Sequence, residues 1–216
     1  MPPRTLPPEL GLLVIDHLGV ERDYIAQHSF MVRSAGVIAL RQCALVCRDW
    51  LHRTRQNLYR TVCVENERAW RVVRVTLKQH PELRTVVRVL RVQITYDLPF
   101  WEIMLFMQTM LVPRLCTFHL HSRGPKISMD NATRSCLRLR FHTVSSLVLS
   151  SMSTGQAVYI FRAFPALRSL QCIYIGHRDT EESIRISQQT PRTTPCPQLV
   201  ELKVCGYAES GCMGRN

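Results

Sequence analysis

The sequence of 216 residues lacks the signatures of common enzymes and of membrane spans. It has no glycine-rich phosphate loop, no paired-histidine zinc motif and no serine-hydrolase elbow, so it predicts no catalytic residue and no cofactor. The longest apolar stretch, residues 98–112, is interrupted by Glu102 and Gln108 and is shorter than the roughly 18 residues that a membrane span needs. We therefore expect neither an enzyme nor a membrane protein.

The cysteine pattern gives little support to disulfides or metal sites. The nine cysteines include no Cys-x-x-Cys pair and no secretory signal precedes them, so we expect a reducing compartment, the cytoplasm, the nucleus or both. Cys43 and Cys47 lie on one predicted helix, but two ligands do not close a zinc site. His119 and His121 share a face of a predicted strand, where a chance surface pair is the simpler interpretation. The sequence predicts no metal site.

The net charge of +12 would suit an anionic partner such as nucleic acid. The excess of Lys and Arg over Asp and Glu is spread along the chain, and no basic block contains interleaved aromatic residues. This distribution is typical of solvated surface arginines, so we do not expect a nucleic-acid partner. A repeat protein that binds nucleic acid or another anionic partner is kept as the alternative hypothesis.

Residues 1–60 have a helical pattern that differs from the rest of the chain. Two prolines followed by Glu9 are typical of a helix start, and Gly19 is expected to end this first helix. After a polar connection, a second helix is predicted over residues 36–47, and it is apolar on nearly every side. A unit this small cannot bury such a helix alone, so part of it should meet the next domain and part a partner protein.

Two short motifs mark this region. Residues 6–10 read Leu-Pro-Pro-Glu-Leu, and residues 43–50 read Cys-Ala-Leu-Val-Cys-Arg-Asp-Trp. In this order, and with Ile15, Leu18, Leu40 and residues 58–62, they resemble the F-box of fungal F-box proteins over about residues 4–60. About 21 residues separate Leu18 from Leu40, which is longer than the connection in the compact form of that motif.

The resemblance implies binding to a Skp-type adaptor, which links an F-box protein to the cullin scaffold of a ubiquitin ligase. By position in the motif, the residues expected to contact the adaptor are Leu6, Pro7, Leu10, Ile15, Leu18, Leu40, Leu45, Val46 and Trp50. A tryptophan flanked by aliphatic residues suits an interface anchor. The same residues could instead form the core of a helical hairpin, and both interpretations can hold for different faces.

A six-residue pattern recurs after residue 58: apolar, two variable positions, apolar, one variable position, apolar. Its six copies are Tyr59/Val62/Val64, Val87/Leu90/Val92, Leu115/Phe118/Leu120, Val144/Leu147/Leu149, Leu167/Leu170/Cys172 and Leu199/Leu202/Val204, spaced 23 to 32 residues apart. The alternation predicts a short strand in each copy. Helical patterns lie between them over 66–79, 98–111 and 155–164.

One strand and one helix per repeat predict a leucine-rich-repeat-like solenoid. The pattern also resembles the degenerate leucine-rich repeats that follow F-boxes in fungal proteins. The expected fold class is α+β, with an F-box-like helical module at 4–60, a leucine-rich-repeat-like α/β solenoid at 61–207 and a tail at 208–216. A doubly wound α/β domain and chance periodicity are the alternatives.

The variable strand positions are expected to point outward and form a polar surface. They are Arg91, Gln93, Thr117, His119, His121, Ser146, Ser150, Gln171, Glu201 and Lys203. Of these, Arg91, Gln93, His119, His121, Gln171 and Lys203 are the predicted contacts to an unknown protein substrate. The function predicted from the sequence is a non-catalytic substrate receptor of a Skp/cullin/F-box ubiquitin ligase.

Overall fold

Helices alone form the first part of the chain, and strands alternate with helices after them. A computed structural model describes residues 7–28, 35–95, 100–109, 112–122, 131–173 and 198–205. The chain divides into two compact units, unit 1 (Met1–Val62) and unit 2 (Cys63–Asn216). Each unit has its own pattern of packing and is described separately.

The described residues of unit 1 form three helices, α1 (Pro8–His28), α2 (Ala35–Cys43) and α3 (Arg48–Arg60), and each packs against the other two. The predicted end of the first helix at Gly19 is wrong, because α1 continues to His28. The second helix is shorter than predicted: it ends at Cys43 and a turn follows over residues 44–46.

Gly19 has a packing role. A Cβ atom at Gly19 would lie 2.9 Å from Cγ of Asn57 on α3, which is closer than real Cβ atoms come to a neighbour. The Asn57 amide also donates a hydrogen bond to the carbonyl of Ile15, at 3.3 Å. The glycine therefore lets a polar side chain of α3 reach the backbone of α1, and this contact explains why a glycine lies inside a continuing helix.

The inner face of α1 repeats every four residues as Gly11, Ile15 and Gly19. Ile15 is completely buried, as is Thr54 on α3. Because the two glycines carry no side chain, α1 can approach α3 closely on either side of Ile15. At the edge of this contact Arg53 holds Asp16 through two hydrogen bonds, Nε to Oδ1 at 2.7 Å and Nη2 to Oδ2 at 2.6 Å.

Unit 2 contains most of a six-stranded sheet whose strands follow chain order, β1 to β6. Strands β2 to β6 pair in parallel. The strands are β1 (Thr61–Val64), β2 (Val89–Ile94), β3 (Thr117–Ser122), β4 (Ser146–Ser150), β5 (Ser169–Ile173) and β6 (Glu201–Cys205). The helices are α4 (Glu67–Gln79), α5 (Phe100–Thr109), α6 (Asn131–Arg140) and α7 (Thr154–Phe161), with a 3-10 helix at Pro81–Thr85. The prediction of mixed helix and strand is confirmed.

All six predicted strands are present, and each begins two residues after the first apolar residue of its pattern. That first residue lies before the strand and fills the core, as Leu115, Val144 and Leu167 do, each at most 1% exposed. The predicted helices over 66–79, 98–111 and 155–164 correspond to α4, α5 and α7. The sequence did not indicate α6.

The same hydrogen bonds recur where the strands β3, β4, β5 and β6 start. The carbonyl of the residue before a strand accepts N–H groups from two successive residues at the start of the next strand. These acceptors are Arg88, Cys116, Ser145 and Arg168. The repetition shows that the sequence period corresponds to a repeated backbone geometry.

Aromatic side chains fill the core of unit 2. Phe118, Phe141 and Phe164 are fully buried, and their ring centroids lie 5.2 to 5.9 Å apart. Phe141 and Phe164 each stand three residues before the first apolar residue of a repeat, so two successive repeats and the strand β3 share one aromatic cluster. Such a cluster joins repeats that could not bury their own apolar faces.

A second contact joins α4 to α5. Trp70 is 1% exposed and its ring meets that of Phe106 edge-on at 4.8 Å. The Trp70 indole donates a hydrogen bond to Oε1 of Glu102 at 3.1 Å, and Arg74 forms an ion pair with the same oxygen at 3.5 Å. Glu102 therefore anchors the two helices to each other.

Among the described residues no helix is long and apolar enough to cross a membrane.

Candidate functional site

Unit 1 exposes apolar side chains along one side of α1. Leu10, Leu13 and Val14 are 49%, 63% and 50% exposed, and their spacing places them on one face of the helix. We call them the α1 stripe. The face that carries Gly11 and Ile15 packs against α3, so the α1 stripe points away from the interior of unit 1. Neighbouring exposed aliphatic side chains of this kind are typical of protein–protein contact surfaces.

The turn between α2 and α3 exposes two further apolar residues. Leu45 and Val46, which we call the turn pair, are 81% and 61% exposed. The turn is hydrogen-bonded, because the Leu45 N–H donates to the Gln42 carbonyl at 3.0 Å and the Val46 N–H to the Cys43 carbonyl at 3.2 Å. A defined turn that holds two aliphatic side chains in solvent suits an interface better than a surface loop, where polar residues are usual.

The predicted adaptor contacts divide into three groups. Pro7, Leu10, Leu45 and Val46 are exposed, and Leu18 and Trp50 are half-buried. Ile15 and Leu40 are 0% exposed, so we correct the prediction that they contact the adaptor. The reason is their position: Ile15 lies between the two glycines that face α3, and Leu40 lies in the core of unit 1. Leu6 lies outside the described residues.

Sequence reasoning did not single out Leu13 and Val14 as exposed members of an apolar surface. Their spacing from Leu10, three and four residues, was visible, but it gives no indication of which face of a helix is buried. The signal that distinguishes the faces is the Gly-x-x-x-Ile-x-x-x-Gly spacing of residues 11–19. Small residues four apart permit close helix approach and thus identify the packed face.

The second candidate surface is the polar face of the sheet in unit 2. One row across neighbouring strands contains Arg91, His119, Val148, Gln171 and Lys203. The next row contains Gln93, His121, Ser150, Ile173 and Cys205. The predicted sharing of one face is therefore confirmed by the strand register. Because neighbouring strands run parallel and are paired residue by residue, these positions lie next to one another across the sheet.

The centre of this face is not solvated as predicted. Arg91, Gln93 and His119 are 4%, 7% and 5% exposed, so we correct the prediction that they contact a substrate, and His119 with His121 is no surface pair. Arg91 and Gln93 lie on β2 and His119 on β3, where Arg91 is the direct neighbour of His119 and Gln93 that of His121. Toward the margins the face opens: His121 and Gln171 are half-buried and Lys203 is exposed. Thr117, Ser146 and Ser150 are also half-buried.

Burial shapes the protonation of the central row. Burial, and to a smaller extent the neighbouring positive charge of Arg91, together lower the pKa of His119 to about 3. Burial also lowers the pKa of Arg91, against the opposing effects of Cys63 and Glu65. His119 is therefore neutral at physiological pH, and of the three buried residues Arg91, Gln93 and His119 only Arg91 carries charge.

Polar contacts occupy the margins of the face. Nδ1 of His121 lies 2.8 Å from the Ser150 hydroxyl on the next strand. On β6, Lys203 forms an ion pair with Glu201 at 2.7 Å, which raises the pKa of Lys203 and lowers that of Glu201. In the part of the chain that the structure describes, no three His, Cys, Asp or Glu side chains group as metal ligands.

No family model, no curated protein and no solved structure matches this chain.

Proposed function

We propose that this chain is a non-catalytic substrate receptor of a Skp/cullin/F-box ubiquitin ligase. Unit 1 is the F-box-like module that binds a Skp-type adaptor, and unit 2 is a leucine-rich-repeat-like solenoid that holds a protein substrate. The observation that carries the proposal is the turn pair: Leu45 and Val46 belong to the F-box-like motif and are 81% and 61% exposed.

The α1 stripe adds a second apolar surface to the same unit. Full burial of a leucine or valine side chain stabilises a complex by about 1.5 to 3 kcal/mol, so each of these half-exposed residues would contribute about 1 kcal/mol. The α1 stripe and the turn pair together would contribute on the order of 5 kcal/mol before the cost of association. Because association itself costs about as much or more, a stable complex needs further contacts from the same partner beyond these five residues.

The solenoid interpretation is supported by the order of the strands and by the repeated hydrogen bonds at strand starts. Sequential parallel strands with one connecting segment each are typical of repeat proteins, in which every repeat contacts its neighbours only. The shared aromatic cluster of Phe118, Phe141 and Phe164 fits the same arrangement, because it joins residues from successive repeats.

The polar face is suited to a protein segment better than to nucleic acid. Arg91 is buried and Lys203 is paired with Glu201, so the two cationic side chains predicted to face the partner offer little charge to a phosphate backbone. His121 and Gln171 are half-buried and supply neutral hydrogen-bonding groups at the margin. This is the face on which we propose that the substrate binds.

The proposed mechanism is positional. A receptor that holds a substrate on a ligase scaffold raises the effective concentration of the substrate's lysines near a charged conjugating enzyme. Such a receptor needs no catalytic residue of its own.

Co-expression with a Skp-type adaptor tests the proposal. We expect a complex with one copy of each chain to copurify through an affinity tag on the adaptor and to survive gel filtration. An F-box protein known to bind the same adaptor serves as the positive control. A soluble, folded chain that remains free while the control is captured would remove the basis of the ubiquitin hypothesis, and steeply salt-dependent binding to unrelated nucleic acids would favour the alternative.

A further inference from the structure

The last strand of the sheet is uncovered on its apolar face. Leu202 and Val204 are aligned with Leu170 and Cys172 of β5, which are 4% and 9% exposed. In β6 the same positions are 59% and 68% exposed, and Val200 just before the strand is 86% exposed. The repeat that ends in β6 thus presents to solvent side chains that the preceding repeat buries.

The backbone of β6 also presents an open edge. β6 is the last strand in the order of the described sheet. The Glu201 N–H donates to the Arg168 carbonyl beside β5, so the polar backbone groups of Glu201 point into the sheet. Because these groups alternate along a strand, those of Leu202 and Val204 point to the open edge. Exposed edges of this kind are templates for a further strand.

The sequence of β6 is complementary to itself when two copies run antiparallel. Residues 200–204 read Val-Glu-Leu-Lys-Val. If Leu202 faces Leu202 of a second copy, Glu201 faces Lys203 and Val200 faces Val204. Opposite charges directly across an antiparallel pair are favourable, and aliphatic pairs on the other face pack together.

The backbone directions agree with this register. Two opposed Leu202 residues whose N–H and C=O groups both point outward can exchange two hydrogen bonds. The opposed Glu201 and Lys203 then occupy the non-hydrogen-bonded positions, where side chains of an antiparallel pair lie closer. A parallel, in-register arrangement would instead place Glu201 opposite Glu201 and Lys203 opposite Lys203, so the charges favour the antiparallel arrangement.

We propose that two copies of this chain associate through β6, antiparallel and centred on Leu202, so that the sheets of the two copies join edge to edge. The contact has two-fold symmetry, because each copy uses the same strand. It places Val200, Leu202 and Val204 beside the same apolar residues of the other copy and pairs each Glu201 with Lys203 of the other copy. The inference is independent of the adaptor surface of unit 1.

The test is the mass in solution of the full chain, measured by sedimentation velocity between about 1 and 100 μM. Wild type is expected to shift with concentration from one chain of 25.0 kDa toward twice that mass. In Glu201→Lys, lysine faces lysine at both cross-strand pairs, and in Lys203→Glu, glutamate faces glutamate at both. Each variant should therefore weaken association by about tenfold or more. Lys78→Glu, at an exposed position on α4, is the matched control and should associate as wild type.

Charge exchange separates this pairing from loss of folding. The double variant Glu201→Lys/Lys203→Glu restores opposite charges in the self-pair and should recover wild-type association. A mixture of the two single variants should form a mixed dimer, since every pair across the contact is then Lys opposite Glu. A monomer at all concentrations, or a dimer that is indifferent to both single variants, would overturn the proposal. A wild-type monomer that binds an added strand from another protein would do the same.

Discussion

Trp50 of α3 lies directly against the backbone of Gly11 of α1: a Cβ atom at Gly11 would be 2.3 Å from Cζ2 of the indole ring. No real Cβ atom tolerates such a distance, so only glycine allows α1 and α3 to pack in this way. The half-buried Trp50 therefore has a packing role inside unit 1.

Gly11→Ala is expected to destabilise unit 1 by up to about 2 kcal/mol. An added methyl group overpacks the contact with Trp50 at a cost of about 1 to 3 kcal/mol, and the gain in helix propensity of about 1 kcal/mol offsets part of it. Hydrogen exchange of the α1 and α3 amides, followed by mass spectrometry, measures the effect locally.

Leu13→Ala, at a 63% exposed position of the same helix, is the matched control and should change amide protection by less than about 0.5 kcal/mol. In a Trp50→Ala background the cost of Gly11→Ala should shrink, because the clashing ring is gone. An alanine variant at least as well protected as wild type would contradict the close contact.

The pKa of Asp16 is lowered from 3.8, chiefly by its hydrogen bonds with Arg53, which contribute stability while the carboxylate is charged. Both side chains are partly exposed, at 37% and 47%, so the contribution is limited to about 1 kcal/mol or less. Asp16→Asn should therefore destabilise unit 1 at pH 7. The difference from wild type should vanish as the pH falls below 3.8 toward the lower pKa of the folded state.

Amide protection of α1 in both proteins between pH 7 and pH 3 measures this difference. High salt should reduce it, because the pair is exposed enough to be screened. A difference that persists unchanged at the lowest pH would show that the substitution acts through packing or through Asn57, whose amide donates to Asp16 at 3.0 Å.

His119 should make the stability of unit 2 fall as the pH is lowered. The pKa of His119 is about 3 in the folded state and 6.5 in the unfolded chain. Below pH 6.5 the unfolded state therefore binds a proton that the folded state does not bind, and this stabilises the unfolded state. The free energy of unfolding is expected to fall by up to about 1 kcal/mol per pH unit below that point. Urea unfolding at pH 7 and pH 5, followed by circular dichroism, measures the decrease.

The variant His119→Gln should lose this pH dependence, whatever its stability at pH 7. His142→Gln, at an exposed histidine, is the control and should keep the wild-type dependence. Equal pH dependence in wild type and His119→Gln would mean that His119 is protonated as easily in the folded as in the unfolded state.

Phe141→Ala should destabilise unit 2 by about 3 to 5 kcal/mol, because it leaves a cavity beside Phe118 and Phe164. The control is Leu139→Ala, two residues away. The Leu139 side chain is 72% exposed, so this change should alter stability by less than about 0.5 kcal/mol. Urea unfolding at pH 7 compares the two. Similar stability in both variants would mean that the aromatic cluster does not hold the repeats together.

The strands could be predicted from the sequence because each repeat carries its own alternation of apolar residues. Each strand starts two residues after the first apolar residue of its repeat. That first residue, such as Leu115, lies before the strand and is still buried in the core. The periodic pattern of apolar residues indicates which positions are buried, and the buried positions begin before the hydrogen-bonded strand begins.

Features that depend on distant neighbours could not be predicted. Gly19 has the sequence properties of a helix end, and only the approach of Asn57, far along the chain, explains why the helix continues. Likewise, His119 and His121 occupy equivalent positions on one strand, yet one is buried and the other half-buried, because their surroundings on adjacent strands differ. Local patterns contain no information on such contacts.

The central claim is that the exposed apolar residues of unit 1 bind a Skp-type adaptor, and calorimetric titration of the purified chain with that adaptor tests it most directly. Leu45→Asp should weaken binding by about tenfold to a hundredfold, since it places a charge in the covered surface. The matched control is Leu139→Asp, which makes the same change at a 72% exposed leucine of unit 2 and should bind as wild type. Wild type without detectable affinity, or a Leu45→Asp variant that binds as tightly as Leu139→Asp, would contradict the account.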